Sequence, residues 1–226
     1  MFFHHGGGSF YMFKEGEEMK KRGRPFGKSD FLEVDEMSKL LALPDKRTIE
    51  GKRDYAILVT LANTGMRKGE LVKLKIGNID FNNNLIHFNS LKKRGKGRGR
   101  ERFIPLDENI IHVIQGYLNF EYNGCHNNRD LPLFRNLGKH GNCKKCSLTT
   151  KAVDCIVRKY VRKAKIQKRI TPHSFRSTRA TLLLDKGVNM ATVRDLLDHE
   201  DVASTNEYLR TNQLRIKEAQ DSLVFQ

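Results

Sequence analysis

The chain has 226 residues, enough for one sizeable domain, and 38% of them are hydrophobic, enough to fill a core. No run of about 18 apolar residues offers a membrane span, and no basic-then-apolar leader marks the start for secretion. Four cysteines in a chain this long do not make a disulfide scaffold, so a reducing cytoplasm is the expected setting. The charge is the most telling number: 42 Lys and Arg stand against 26 Asp and Glu, a formal net charge of +16. That surplus points to a nucleic acid, because each phosphate neutralised by Lys or Arg releases a condensed counterion.

Residues 1–29 read as a flexible basic tail. They open with His4, His5 and a Gly-Gly-Gly-Ser run and continue through Lys20-Lys21-Arg22-Gly23-Arg24-Pro25. One folded domain is expected over residues 30–226. Met37, Leu40 and Leu41 recur at helical spacing, with Asp35 and Glu36 early, where the helix dipole favours acids. A second helix is predicted over 53–63, with Ile57, Leu58, Leu61 and Ala62 on one face; Thr64-Gly65 ends it, and a short helix follows over 68–74.

The period changes across residues 79–106. Leu85, Ile86 and Phe88 predict a strand, and Phe103-Ile104-Pro105-Leu106 predict its return. Between them lies the Gly-rich cationic tip of a hairpin, with Lys92, Lys93, Arg94, Lys96, Arg98 and Arg100. Helices resume over 108–120 and 150–165, the latter carrying Arg158, Lys159, Arg162, Lys163 and Lys165. The last third predicts a helix over 175–186 closed by Gly187, another over 190–197 capped by Asn189, and a third over 202–209. The fold class is therefore mostly α with one small antiparallel β-sheet.

Four segments carry the chemistry. They are Thr64-Gly65-Met66-Arg67-Lys68-Gly69-Glu70-Leu71, the cationic hairpin, Thr171-Pro172-His173-Ser174-Phe175-Arg176, and Leu196-Leu197-Asp198-His199-Glu200 with Tyr208 nine residues beyond His199. In this order and spacing they resemble the tyrosine recombinase family, of the phage-integrase and Xer type. That family carries Thr-Gly-x-Arg-x-x-Glu-Leu, His-x-x-Arg and Leu-Leu-Gly-His segments and a Tyr nine residues beyond the last His. The resemblance runs from about Asp30 to about Arg210. It implies the catalytic-domain fold of that family, cleavage and rejoining of double-stranded DNA, and a homo-tetramer on DNA, since two duplexes need four cleavages.

The residue types suit that chemistry. A phosphodiester resists attack because it is an anion, and its transition state gathers charge on the non-bridging oxygens. Arg67 and Arg176 can hold those oxygens with forked hydrogen bonds. Tyr208 is the candidate nucleophile; by resemblance it forms a 3′-phosphotyrosine and frees a 5′-hydroxyl, so rejoining needs no ATP, metal or other cofactor. The resemblance casts His173 as an aid to proton transfer from the tyrosine, and His199 as a phosphate contact or an orienter of the nucleophile. A hairpin lysine protonates the leaving oxygen. Counting back from Phe103 selects Lys96, whereas counting forward from Leu85 selects Lys92 or Lys93. The remaining cations of the tip, Arg94, Arg98 and Arg100 among them, are expected on the DNA backbone.

The chain departs from the family pattern at two places. Asp198 stands where the family has Gly, which would raise the pKa of His199 or repel a phosphate. The residues before Asp30 are also too few for the separate core-binding domain that family members carry. Cys143-Lys144-Lys145-Cys146, with Cys125 close by, form a weak zinc-site pattern with a structural role at most, and free thiols are the plainer reading. Two rival functions share these residues: a type IB topoisomerase-like nicking-closing enzyme, and a non-catalytic DNA-binding protein.

Overall fold

The computed structural model describes residues 31–90, 101–122, 128–137 and 147–197. Along these residues the elements are α1 (Val34–Ala42), α2 (Ile49–Thr64), α3 (Lys68–Leu71), β1 (Ile79–Asp80), β2 (Leu85–Asn89), β3 (Glu101–Pro105), α4 (Glu108–Tyr122), α5 (Thr150–Lys163), α6 (Pro172–Asp185) and α7 (Met190–Leu197). A mostly helical domain with one small antiparallel sheet is what the hydrophobic periodicity predicts. The helix expected over 202–209 lies outside the described residues.

Helix α2 is the axis of the fold, packing against both α4 and α6. It starts four residues earlier than the apolar periodicity predicts, because Thr48 caps it: the Thr48 hydroxyl accepts the Gly51 N–H at 3.0 Å. Ala56, Ile57, Leu58 and Leu61 are fully buried, and each of the isoleucine and leucine side chains stabilises the fold by about 1.5–3 kcal/mol. Arg53 and Asp54 of the same helix are buried too. Asp54 is accommodated inside because Arg53 donates to one oxygen, and Lys159 and Tyr160 of α5 donate to the other, each at 3.0 Å. This acid clips α2 to α5.

The sheet has the order β1-β2-β3, antiparallel throughout, with Ile79 opposite Ile86 and Ile86 opposite Ile104. Side chains alternate between faces along a strand. With Ile104 facing the core, Arg102 faces the core as well, and Phe103 is left 61% exposed. Phe103 stacks against His87 on the outer face, with ring centroids 6.2 Å apart.

Residues 128–137 carry no predicted helix or strand, yet they are built into the core. Leu133 and Phe134 are buried, the Leu133 N–H donates to the Leu74 carbonyl at 2.8 Å, and the Tyr122 hydroxyl donates to the Pro132 carbonyl at 2.9 Å.

At the other end, α6 starts at Pro172, whose fixed φ suits the first helical position. Gly187, with φ +80°, closes the turn after it. Helix α5 stops at Lys163, two residues before the predicted end, and Lys165 is left-handed with φ 57°. Helix α7 follows its cap as predicted: the Asn189 side chain accepts the Ala191 N–H at 2.8 Å. A small cluster of Ala180, Val193 and Leu197 seats α7 on α6. Among the described residues no helix is long and apolar enough to cross a membrane.

Candidate active site

Three of the six residues expected to carry catalysis lie among the described residues, and local structure accounts for where each stands. Arg67 is the N-cap of α3. Its backbone N–H donates to one oxygen of Glu70 at 2.7 Å, and its guanidinium donates to the other at 3.1 Å. Glu70 is 2% exposed. A carboxylate held on both oxygens is a rigid base for an arginine, and it leaves the Arg67 side chain partly accessible to solvent. Its neighbour Lys68 grips Asp154 of α5 at 2.7 and 2.8 Å, which fixes α3 against α5.

Arg176 is 2% exposed on the inner face of α6. One terminal nitrogen donates to the Gly65 carbonyl at 3.0 Å and the other to the Leu197 carbonyl. Gly65 is the left-handed cap of α2, two residues before Arg67. The fold therefore brings the two arginines of distant motifs to one turn. A guanidinium has five N–H donors in a planar fork, so a residue that binds two carbonyls retains donors directed elsewhere.

His173 is exposed in the first turn of α6, one turn before Arg176. Thr171 caps that helix through a backbone N–H that donates to the Ser174 hydroxyl at 3.0 Å. The positive end of the helix dipole lies beside His173 and favours an anion there. One turn beyond Arg176, Arg179 is partly buried; its Nε has no hydrogen-bond partner among the described residues, and burial holds its pKa below the usual arginine value.

Two residues that sequence reasoning did not single out complete the arrangement. Glu70 ties Arg67 down as described, and Arg102 of β3 reaches the same carboxylate with a nitrogen–oxygen distance of 3.9 Å. Arg102 also donates to the Leu196 carbonyl. Glu70 had a visible signal, an acid three residues after the N-cap, where a capping side chain folds back. For Arg102 the signal was its parity with Ile104 along the strand.

The rest of the expected site lies outside the described residues: the nucleophile Tyr208, His199, the hairpin cations Lys92, Lys93, Arg94, Lys96, Arg98 and Arg100, and Cys125, Cys143 and Cys146. Cys155 is described and is exposed on α5.

Arg67 and Arg176 meet at the Gly65 turn, and the buried acid Glu70 fixes Arg67 from behind. That is a site for an anion with several oxygens, where hydrogen bonds from fixed guanidiniums are worth most. The same residues match a known family: the phage integrase family model matches residues 30–215, and the chain belongs to that family.

Among its relatives is the tyrosine recombinase XerD of Staphylococcus haemolyticus (strain JCSC1435), 34% identical over 190 residues that cover 84% of this chain and 60% of the relative. The tyrosine recombinase XerC of Pelotomaculum thermopropionicum is 32% identical over 192 residues, covering 83% of this chain and 59% of the relative. The chain thus spans about 60% of the length of the curated relatives it matches. Among solved structures, the XerA recombinase superposes with a TM-score of 0.67 at 28% identity, over 87% of this chain and 66% of that one. The XerH site-specific recombinase, solved on its palindromic difH substrate after cleavage, gives a TM-score of 0.67 at 23% identity over 85% of this chain and 52% of that one, a likeness of fold.

Proposed function

We propose that this chain is the catalytic part of a site-specific tyrosine recombinase that cuts and rejoins double-stranded DNA through Tyr208. The observation that carries the reading is the convergence of Arg67 and Arg176 on the Gly65 turn. Two guanidiniums from separate motifs, backed by one buried acid, suit the two non-bridging oxygens of a scissile phosphate. Attack by the Tyr208 hydroxyl on phosphorus forms the phosphotyrosine bond and breaks the bond to the 5′-oxygen. The tyrosine proton passes toward a base, with His173 the candidate. The leaving oxygen takes a proton from the hairpin, with Lys96 the candidate ahead of Lys92 and Lys93. The reverse reaction restores the DNA with no external energy source.

The net charge of +16 supports a DNA partner. Relatives named tyrosine recombinases, and a neighbour solved on its DNA substrate, favour recombination over simple nicking and closing. Four copies on two duplexes are the assembly that paired strand exchange requires, and cytoplasmic DNA is the setting. The test is to mix the protein with supercoiled plasmid, without metal or ATP, and to quench with detergent. Protein attached to DNA 3′ ends is the expected product. Cleavage that needs added metal, or attachment to 5′ ends, contradicts the reading.

A further inference from the structure

We propose that Arg102 is a positioning residue that couples the base of the cationic hairpin to the end of α7, and so to the chain leading into Tyr208. The proposal rests on the function proposed above. Arg102 is the second residue of β3, the strand that continues directly from the hairpin tip. It is 7% exposed although it is charged. A buried guanidinium is costly unless its donors are engaged, and Arg102 meets three groups from separate parts of the fold. These are the Glu70 carboxylate at 3.9 Å, the Leu196 carbonyl, and the Phe88 ring with its centroid 5.2 Å from the guanidinium carbon.

The Leu196 contact is the one with a consequence for function. The last carbonyls of a helix have no partner within it and carry the negative end of its dipole. Arg102 and Arg176 hold the successive carbonyls of Leu196 and Leu197, the last two residues of α7. Arg176 ties that helix end to the turn before Arg67. Arg102 ties it to the hairpin strand and, through Glu70, to Arg67 itself. His199 follows two residues after Leu197 in the chain, and Tyr208 nine after that. Arg102 therefore links three parts of the proposed site: the Arg67 clasp, the strand that follows the cationic tip in sequence, and the helix end that precedes His199 and Tyr208.

Arg102→Lys tests this, because an ammonium keeps the charge beside Glu70 but lacks the fork that reaches two groups. Hydrogen exchange is read on the full chain, together with cooperative thermal melting and binding to plasmid DNA. The expected result is exchange across residues 190–197 faster by about tenfold, with melting still cooperative and plasmid affinity unchanged. The rate of covalent attachment to supercoiled plasmid should fall by about tenfold or more, because small misplacements of a reacting group are costly. Arg102→Ala should enlarge both effects. Unchanged exchange across α7 overturns the proposal, whatever the protein does to DNA. Faster exchange with an unchanged attachment rate overturns it too. A wild-type protein that never attaches to DNA instead overturns the recombinase reading, while exchange still reports on the Arg102 contact.

Discussion

Arg176 donates a hydrogen bond to the carbonyl of Gly65 at 3.0 Å, across 111 residues of sequence. Gly65 is the left-handed cap that ends α2 and turns the chain into Arg67. One contact thus sets the relative placement of the two motif arginines.

Replacing Arg176 should expose both of its duties. Arg176→Ala is expected to lower the rate of covalent attachment by at least about a hundredfold, since it removes a fixed donor to the developing charge. It should also destabilise the fold by about 1–3 kcal/mol, because the Gly65 and Leu197 carbonyls lose a charged donor. Single-turnover attachment rates and urea unfolding measure the two effects separately. Binding to plasmid should change far less than the rate.

Gly65 itself should resist substitution. Its φ of +61° disfavours any residue with a side chain, and a Cβ placed there would lie 2.8 Å from Cδ2 of Leu197. Gly65→Ala is expected to cost about 1–2 kcal/mol from the backbone, with more from the displaced leucine. Urea unfolding reads the total, and attachment should slow because the same shift moves the end of α7 and Arg67.

Alkaline pH should unfold the protein through its buried tyrosines. Burial pushes the Tyr122 hydroxyl up to about 12. Burial, with the Asp54 carboxylate beside it, pushes Tyr160 up to about 12 as well. Burial raises Tyr117 in the same direction. Unfolded tyrosine titrates near 10, so the folded state favours the neutral hydroxyl. That contribution is fully present below about pH 10 and is lost as pH rises through about 12. Tyrosinate absorbance followed beside circular dichroism should show late ionisation that coincides with unfolding. Ionisation of every tyrosine near pH 10 in a still-folded protein would contradict it.

Much of the fold was legible in the sequence wherever local signals decide it. Asn189 and the apolar positions of α7 lie within a few residues of one another, and that helix has its predicted bounds. The order of the motifs was legible for the same reason, since each is a short run whose residue types carry the chemistry. Helix α2 is longer than its one-face pattern predicts because it is buried nearly all round, with α4 and α6 both packed against it, which blurs the period. The core role of Leu133 and Phe134 was hidden because it depends on backbone pairing with Leu74, far back in the chain. Arg102 was overlooked for a related reason. A phenylalanine beside an arginine invites the opposite orientation, and only the pairing of Ile104 with Ile86 decides which of them faces inward.

The central claim is that Tyr208 is the nucleophile. The most direct measurement is to trap protein on supercoiled plasmid with detergent, digest both partners, and map the nucleotide-bearing peptide by mass spectrometry, with Tyr208→Phe in parallel. The account predicts a nucleotide joined through its 3′-phosphate to Tyr208, no adduct from Tyr208→Phe, and nearly equal plasmid affinity for the two proteins. An adduct on another residue, or one that survives in Tyr208→Phe, would contradict it.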